Sequence, residues 1–317
     1  MARNTNIQSI LFPVKLKPIY LKYDIYPVKG FNAVVGTFSN PDSTIANEQV
    51  ISIVTTNYLL VSNEKALEIG QDIHNKLFPN ATSSSFEIFN IKTPKTLGSC
   101  HIDIIDKNYK LNILKREVYV PFVRIQNSYN KTMPLRYQVG FCRSLCNNGV
   151  IFEENTISIN LQHTYRQFNS FSFDAIDTKW LHKFEADFIS KTNKADKIHI
   201  PEKVFLPLAA KALNLKFNLD DNNNDKLQSE LESFDKFKFI MMDFADRYIR
   251  KEQLGETAYA FFNAITDYAS NFPHRQARTS HDMQNRCGKW LSEFCQRQHG
   301  RHIDWKVELR GCEQLVK

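Results

Sequence analysis

The stretch from Glu117 to Val150, E-V-Y-V-P-F-V-R-I-Q-N-S-Y-N-K-T-M-P-L-R-Y-Q-V-G-F-C-R-S-L-C-N-N-G-V, constrains the fold more than any other part of this chain. Two strand-like runs flank a polar turn that contains Pro134, the pattern of a hairpin. Successive strand side chains point to opposite faces. The alternation therefore sorts Arg124, Gln126, Arg136 and Gln138 to one side and Val123, Ile125, Tyr137 and Val139 to the other. The result is an apolar back and a cationic, hydrogen-bonding front. Bordered by Tyr119, Tyr129 and Tyr137, such a front suits phosphate and base contact better than small-molecule chemistry.

The elements around the hairpin define the fold class. Residues 31–61 read as two strands, F-N-A-V-V-G-T-F and V-I-S-I-V-T-T-N-Y-L-L-V, split by a turn-rich S-N-P-D-S. An amphipathic helix follows over about 64–77, with Ala66, Ile69, Gly70, Ile73 and Leu77 on one stripe and Pro79 as its stop. Further strand signals lie at F-E-I-F-N-I-K, C-H-I-D-I-I-D-K, L-N-I-L-K-R-E-V-Y-V and I-S-I-N-L-Q-H-T. Beyond residue 165 the periodicity turns helical, with helices predicted over about 174–191, 201–215, 225–251 and 256–270 and a last one from Thr279 to a stop at Gly300. The expectation is an α+β protein: an N-terminal antiparallel sheet with a packed helix, then a mainly helical C-terminal half. The corresponding units are residues 1–165, carrying the basic hairpins, and 166–317, ending in a basic tail.

With 317 residues and 42% hydrophobic content the chain can bury a substantial core. No run of about eighteen uncharged apolar residues occurs, and M-A-R-N-T-N-I-Q lacks the apolar region of a secretory signal. A cytoplasmic protein without a membrane partner is expected. Six dispersed cysteines read as reduced thiols. The formal charge of +7 is unevenly spread: residues 81–150 hold ten basic against four acidic side chains, whereas 151–270 hold fifteen against nineteen. Positive charge on the hairpins and on the tail points to a polyanion-facing surface; a solvated face with no partner is the competing explanation.

Single-stranded nucleic acid needs cations along its backbone and flat side chains against its bases. Lys115, Arg116, Arg124, Lys131, Arg136 and Arg143 are the candidate phosphate contacts, and Tyr119 and Tyr129 the candidate stacking residues. No metal site or cofactor is expected. Cys287 and Cys295 are eight apart, unlike the short paired spacings of a zinc site, and Cys142 and Cys146 do not form a redox C-x-x-C. The phosphate-loop, dinucleotide-binding, H-E-x-x-H and G-x-S-x-G motifs are all missing. Glu87, Asp103 and Asp106 are the carboxylates that a metal-dependent nuclease would use, although I-D-I-I-D is equally an alternating strand.

Four runs, I-S-I-V-T-T-N-Y-L-L-V-S-N-E-K-A-L-E-I-G, V-R-I-Q-N-S-Y-N-K, V-G-F-C-R-S-L-C-N-N-G and A-Y-A-F-F-N-A-I-T-D-Y-A-S, carry a resemblance. Through them the chain resembles the phage/plasmid-like protein family known as domain of unknown function 932. The resemblance brings no catalytic residue with it and implies a mobile-element protein acting in replication or recombination. The order helix, hairpin, further strands, helix is also similar, at the level of fold, to single-strand annealing recombinases of the Rad, Erf and Redβ kind. The leading expectation is single-stranded DNA binding or annealing. A protein-interaction factor that blocks a host defence or replication enzyme is the alternative, and a divalent-metal nuclease the third. Self-association through the 225–251 stripe and a private core there fit the periodicity equally.

Overall fold

A computed structural model describes residues 7–38, 47–79, 86–114, 117–144, 148–152, 158–172, 176, 179–219, 224–271, 277–298, 303–312 and 315. The fold is α+β, with antiparallel sheets and one helix in the N-terminal part and a mainly helical C-terminal half. A short 3-10 turn at Ile7–Ser9 leads into a three-stranded sheet of β1 (Val14–Tyr20), β2 (Pro27–Phe38) and β3 (Asn47–Thr55). β1 lies outside the sequence expectation, because alternate lysines and Pro18 dilute its strand signal.

Helix α1 (Asn63–Leu77) starts where Ser62 Oγ accepts a hydrogen bond from Lys65 N, the usual way an exposed first-turn donor is satisfied. Its expected stripe, Ala66, Ile69, Gly70, Ile73 and Leu77, is buried. Gly70 permits close approach to the sheet, since a Cβ there would lie 2.3 Å from Ile125 Cδ1.

The second sheet contains β4 (Phe86–Lys92), β5 (Ser99–Asp106), β6 (Leu111–Ile113), β7 (Glu117–Ser128), β8 (Leu135–Arg143), β9 (Asn148–Ile151) and β10 (Ser158–Leu161). The predicted hairpin, β7 and β8, is its centre: β5 and β6 share one edge of β7, while β9 and β10 share the far edge of β8. The alternation is observed as expected. Arg124 lies opposite Gln138 and Gln126 opposite Arg136, while Val123 meets Val139 and Ile125 meets Tyr137 on the side of α1.

Helices α2 (Tyr165–Ser170), α3 (Lys179–Ala195), α4 (Phe205–Ala212), α5 (Asn224–Asp246), α6 (Ala258–Asn271), α7 (Ala277–Arg297) and α8 (Trp305–Glu308) follow. A 3-10 turn at Glu202–Val204 precedes α4. The long helix expected over 225–251 is α5 and then a π-helical turn at Arg247–Lys251, which aims the Tyr248 hydroxyl at Asp267 Oδ2, 2.7 Å away. Phe184 and Phe188 of α3 stack on Phe141 of β8, and Tyr259 and Asn263 of α6 meet Tyr119 of β7, so residues on either side of 165 share one core.

Helix α7 touches β9 closely. A Cβ on Gly288 would lie 2.2 Å from the Ile151 carbonyl oxygen, a backbone atom that cannot swing away. Gly288→Ala is therefore expected to cost about 1–3 kcal/mol by overpacking. Urea denaturation measures this; an unchanged midpoint would show that α7 slides freely over β9.

Candidate nucleic-acid interface

Most of the polar face of the hairpin is not solvent-exposed: Arg124, Gln126 and Gln138 are buried, and Arg136 lies at its open edge. Two rows cross the sheet through its register: Asn90, Asp103, Arg124 and Gln138, and, two residues away along the same strands, Lys92, His101, Gln126, Arg136 and Asn160. Helix α7 covers them with Ser280, His281, Gln284 and Asn285. Arg124, expected on an open phosphate track, is 2% exposed. Its Nε and Nη2 donate to Asp103 Oδ1 and Oδ2 at 2.6 and 2.7 Å, and its Nη1 donates to Gln284 Oε1 at 2.5 Å. A guanidinium satisfied on every side has nothing left for a phosphate.

Arg143 departs from expectation in the same way. Its Nε and Nη2 donate to Glu117 at 2.6 and 2.9 Å, and its Nη1 lies 2.6 Å from Glu252 Oε2. Tyr119 is buried with its hydroxyl 3.1 Å from that of Tyr259 and donating to Asn263 Oδ1. Tyr129 is buried too, and its hydroxyl accepts from Asn63 N at 2.9 Å while its ring packs with Phe12, Val34, Val54 and Tyr58. These four residues hold the sheets and helices together. Of the remaining candidates, Lys131 and Arg136 reach the surface, while Lys115 and Arg116 lie outside the described residues. Period-2 alternation sorts faces but does not say which face a helix covers, hence the error.

The covered rows hold two histidines whose rings lie 5.7 Å apart. Burial, reinforced by the positive charge of Arg124, Lys92 and Arg136, holds His101 well below the usual histidine range. Burial, with Arg124, His101 and Arg136, does the same to His281. Arg124 Nη1 donates toward His281 Nδ1 at 3.3 Å, which leaves the ring proton on Nε2, and the Asn285 amide, 3.1 Å away, accepts it with its oxygen turned to the ring. Burial also lowers Lys92, with Arg124 adding to it, to about 8; its Nζ donates to Ser270 O at 2.9 Å and Ser280 Oγ at 2.6 Å, tying β4 to α6 and α7.

Both histidines bind protons more readily unfolded than folded. Their contribution to stability is complete above the unfolded value of about 6.5 and is lost as pH falls below it, by up to about 1.4 kcal/mol per pH unit for each ring. Urea midpoints should accordingly decline between pH 7 and 5, and His281→Gln should flatten the decline. Parallel declines in the two proteins would remove His281 from this account.

An exposed surface of the expected chemistry lies instead on the N-terminal sheet. In the turn between β1 and β2, Tyr23 is 90% and Tyr26 78% exposed, with Tyr20, Leu21 and Ile25 beside them. The Lys22 ammonium sits over the Tyr23 ring at 5.0 Å. Across the strands Lys17 and the exposed Ile53 flank the buried Ala33 in one row, Lys15 and the exposed Val50 flank the buried Val35 in the next, and Phe31, 47% exposed, stands opposite Thr55. Lys131 reaches this face from the β7–β8 turn, its Nζ donating to Thr55 Oγ1 at 2.7 Å. Glu48 pairs with both Lys15 and Lys17, and these hydrogen bonds hold its carboxyl down to about 2. Lys29 of β2 is exposed as well, so among the described residues five lysines stand on or beside this sheet with Glu48 and Asp24.

Fold and surface together describe an α+β protein with a sealed polar interior and an aromatic, lysine-bearing sheet projecting from it. The family model of DUF932, domain of unknown function, matches residues 50–289. The chain belongs to that family. β1, β2 and the exposed turn precede the matched span, and most of β3, α1, the second sheet and the helices as far as most of α7 lie in it. No curated protein and no solved structure matches the chain. No helix among the described residues is long and apolar enough to cross a membrane.

Proposed function

We propose that this protein binds single-stranded nucleic acid, most concretely single-stranded DNA in phage or plasmid recombination or replication, through the outward face of its N-terminal sheet. The observation that carries this reading is the joint exposure of Tyr20, Tyr23, Tyr26 and Phe31 with Lys15, Lys17, Lys22, Lys29 and Lys131 on one projecting sheet. Flat side chains stack bases without regard to sequence, and ammonium groups between them follow the phosphates. The mobile-element setting, a cytoplasmic site of action and strand annealing by an oligomer belong to the same proposal, supported by the resemblance of the sequence and the order of its elements.

The test is titration of a labelled oligonucleotide, single- or double-stranded, over a range of salt. Binding to the single strand is expected, with the logarithm of affinity falling by about 0.7 per neutralised phosphate for each unit of log salt. Binding that ignores salt, or that prefers the duplex, would sink the reading. A second reading, docking of a partner protein, is favoured by the exposed Leu231, Phe239 and Met242 of α5. It predicts no oligonucleotide binding at all.

A further inference from the structure

Three cations, Lys92, Arg124 and Arg136, stand in the polar rows beneath α7, and the carboxylate facing them there among the described residues is Asp103. Arg124 and Asp103 neutralise one another in a bidentate pair. Lys92 spends its protons on a carbonyl and a hydroxyl, which satisfies its hydrogen bonds but not its charge. Arg136, half-buried, donates through Nε to Asn160 Oδ1, and no hydrogen bond from its Nη atoms is found among the described residues. Gln138, 2% exposed and next to Arg136 in these rows, has a side-chain oxygen without a hydrogen-bond partner. Unbalanced positive charge in a covered site is costly, and an anion relieves it; the Gln138 oxygen is an acceptor, so an anion satisfies this side chain only when the amide is turned end for end to present its nitrogen.

We infer that the rows form a binding site for a phosphate-like oxyanion, entered beside Arg136. The guanidinium of Arg136 offers a planar pair of donors to two oxygens of the anion, a geometry that a lysine does not supply. The amide of Gln138, turned so that its nitrogen faces the anion, gives a third donor, and Gln126 and His101 close the row behind it, 3.2 Å from one another. Arg124 contributes field rather than contact, since its N–H groups are already committed. Anion binding here also opposes the positive field on His101 and His281.

The test is thermal melting of the full chain in inorganic phosphate against sodium chloride of equal ionic strength. A ligand that binds only the folded state raises the melting temperature by about 2–4 °C at ten times its Kd for a chain of this size. Arg136→Gln and Gln138→Leu should melt close to the parent in chloride and lose the phosphate-dependent rise. The histidine ring signals of the parent should titrate at higher pH in phosphate, a readout that simple loss of folding does not move. No saturable rise in the parent, or an undiminished rise in Arg136→Gln, overturns the site. Competition by a nucleoside monophosphate, but not by the nucleoside, would support it and identify the source as a nucleotide phosphate; a response to inorganic phosphate alone would support it as a site for the free ion. Neither arm depends on Tyr23 or Tyr26, so the site and the proposed strand-binding surface can fail separately.

Discussion

Replacing Arg124 by methionine is expected to destabilise the protein by about 3–5 kcal/mol, because it leaves Asp103 charged and unpaired beneath α7. The native pair is bidentate, and its third arm reaches Gln284 on a helix 160 residues further along the chain. Removing one partner costs far more than the pair itself contributes. The double variant Asp103→Leu, Arg124→Met should therefore recover most of the loss, since two well-packed apolar groups replace a buried ion pair at little net cost. Urea denaturation of the two single variants and the double variant separates these outcomes. A loss below about 1 kcal/mol for Arg124→Met would mean that Arg124 is free in solution and that the front of the hairpin is open after all. Any effect of this variant on oligonucleotide binding should track its folded fraction and leave the salt dependence unchanged.

The double variant Tyr23→Ala, Tyr26→Ala should weaken single-strand binding by about 30-fold or more, with the folding midpoint unmoved. Each stacked base contributes about 1–3 kcal/mol, so two lost platforms amount to about 2–6 kcal/mol if both are used. Both rings are exposed, and substitutions on such a surface usually change stability by less than about 0.5 kcal/mol. Fluorescence anisotropy with a labelled oligonucleotide gives the affinity, and the same samples give the urea midpoint. Adding Lys22→Ala removes the ammonium over Tyr23 and should make the salt dependence shallower by about one phosphate's worth. An affinity equal to that of the parent would exclude the β1–β2 turn as the binding surface and leave the apolar stripe of α5 as the stronger candidate for partner contact.

The hairpin shows how far the sequence could be followed. Its strands, its turn and the side to which Arg124, Gln126, Arg136 and Gln138 point were all legible, because alternation along an extended backbone is a local property. What those side chains face was not. Asp103 comes from β5 and His281 and Gln284 from α7, so the partners that convert a cationic track into a sealed network are distant in sequence. One signal was available in α7. Ser280 and Gln284 lie in register with Cys287, Leu291 and Phe294 on the buried stripe of that helix, and polar residues in such a stripe imply polar residues opposite.

The N-terminal sheet shows the reverse. The lysines and tyrosines of residues 15–29 are plain in the sequence, yet the near-neutral charge balance of the first 80 residues and the broken alternation of β1 give them no signal of a shared surface. Only the tertiary structure separates Tyr129, enclosed by Phe12 and Tyr58, from Tyr23, which projects into solvent. By itself the sequence determined the α+β class, the stripe of α1, the pairing of β7 with β8 and the charge carried by each segment, since these follow from local periodicity and residue type. The tertiary structure decided which charges are spent on one another and which remain for a partner, because burial depends on what packs opposite a side chain and no local pattern contains that.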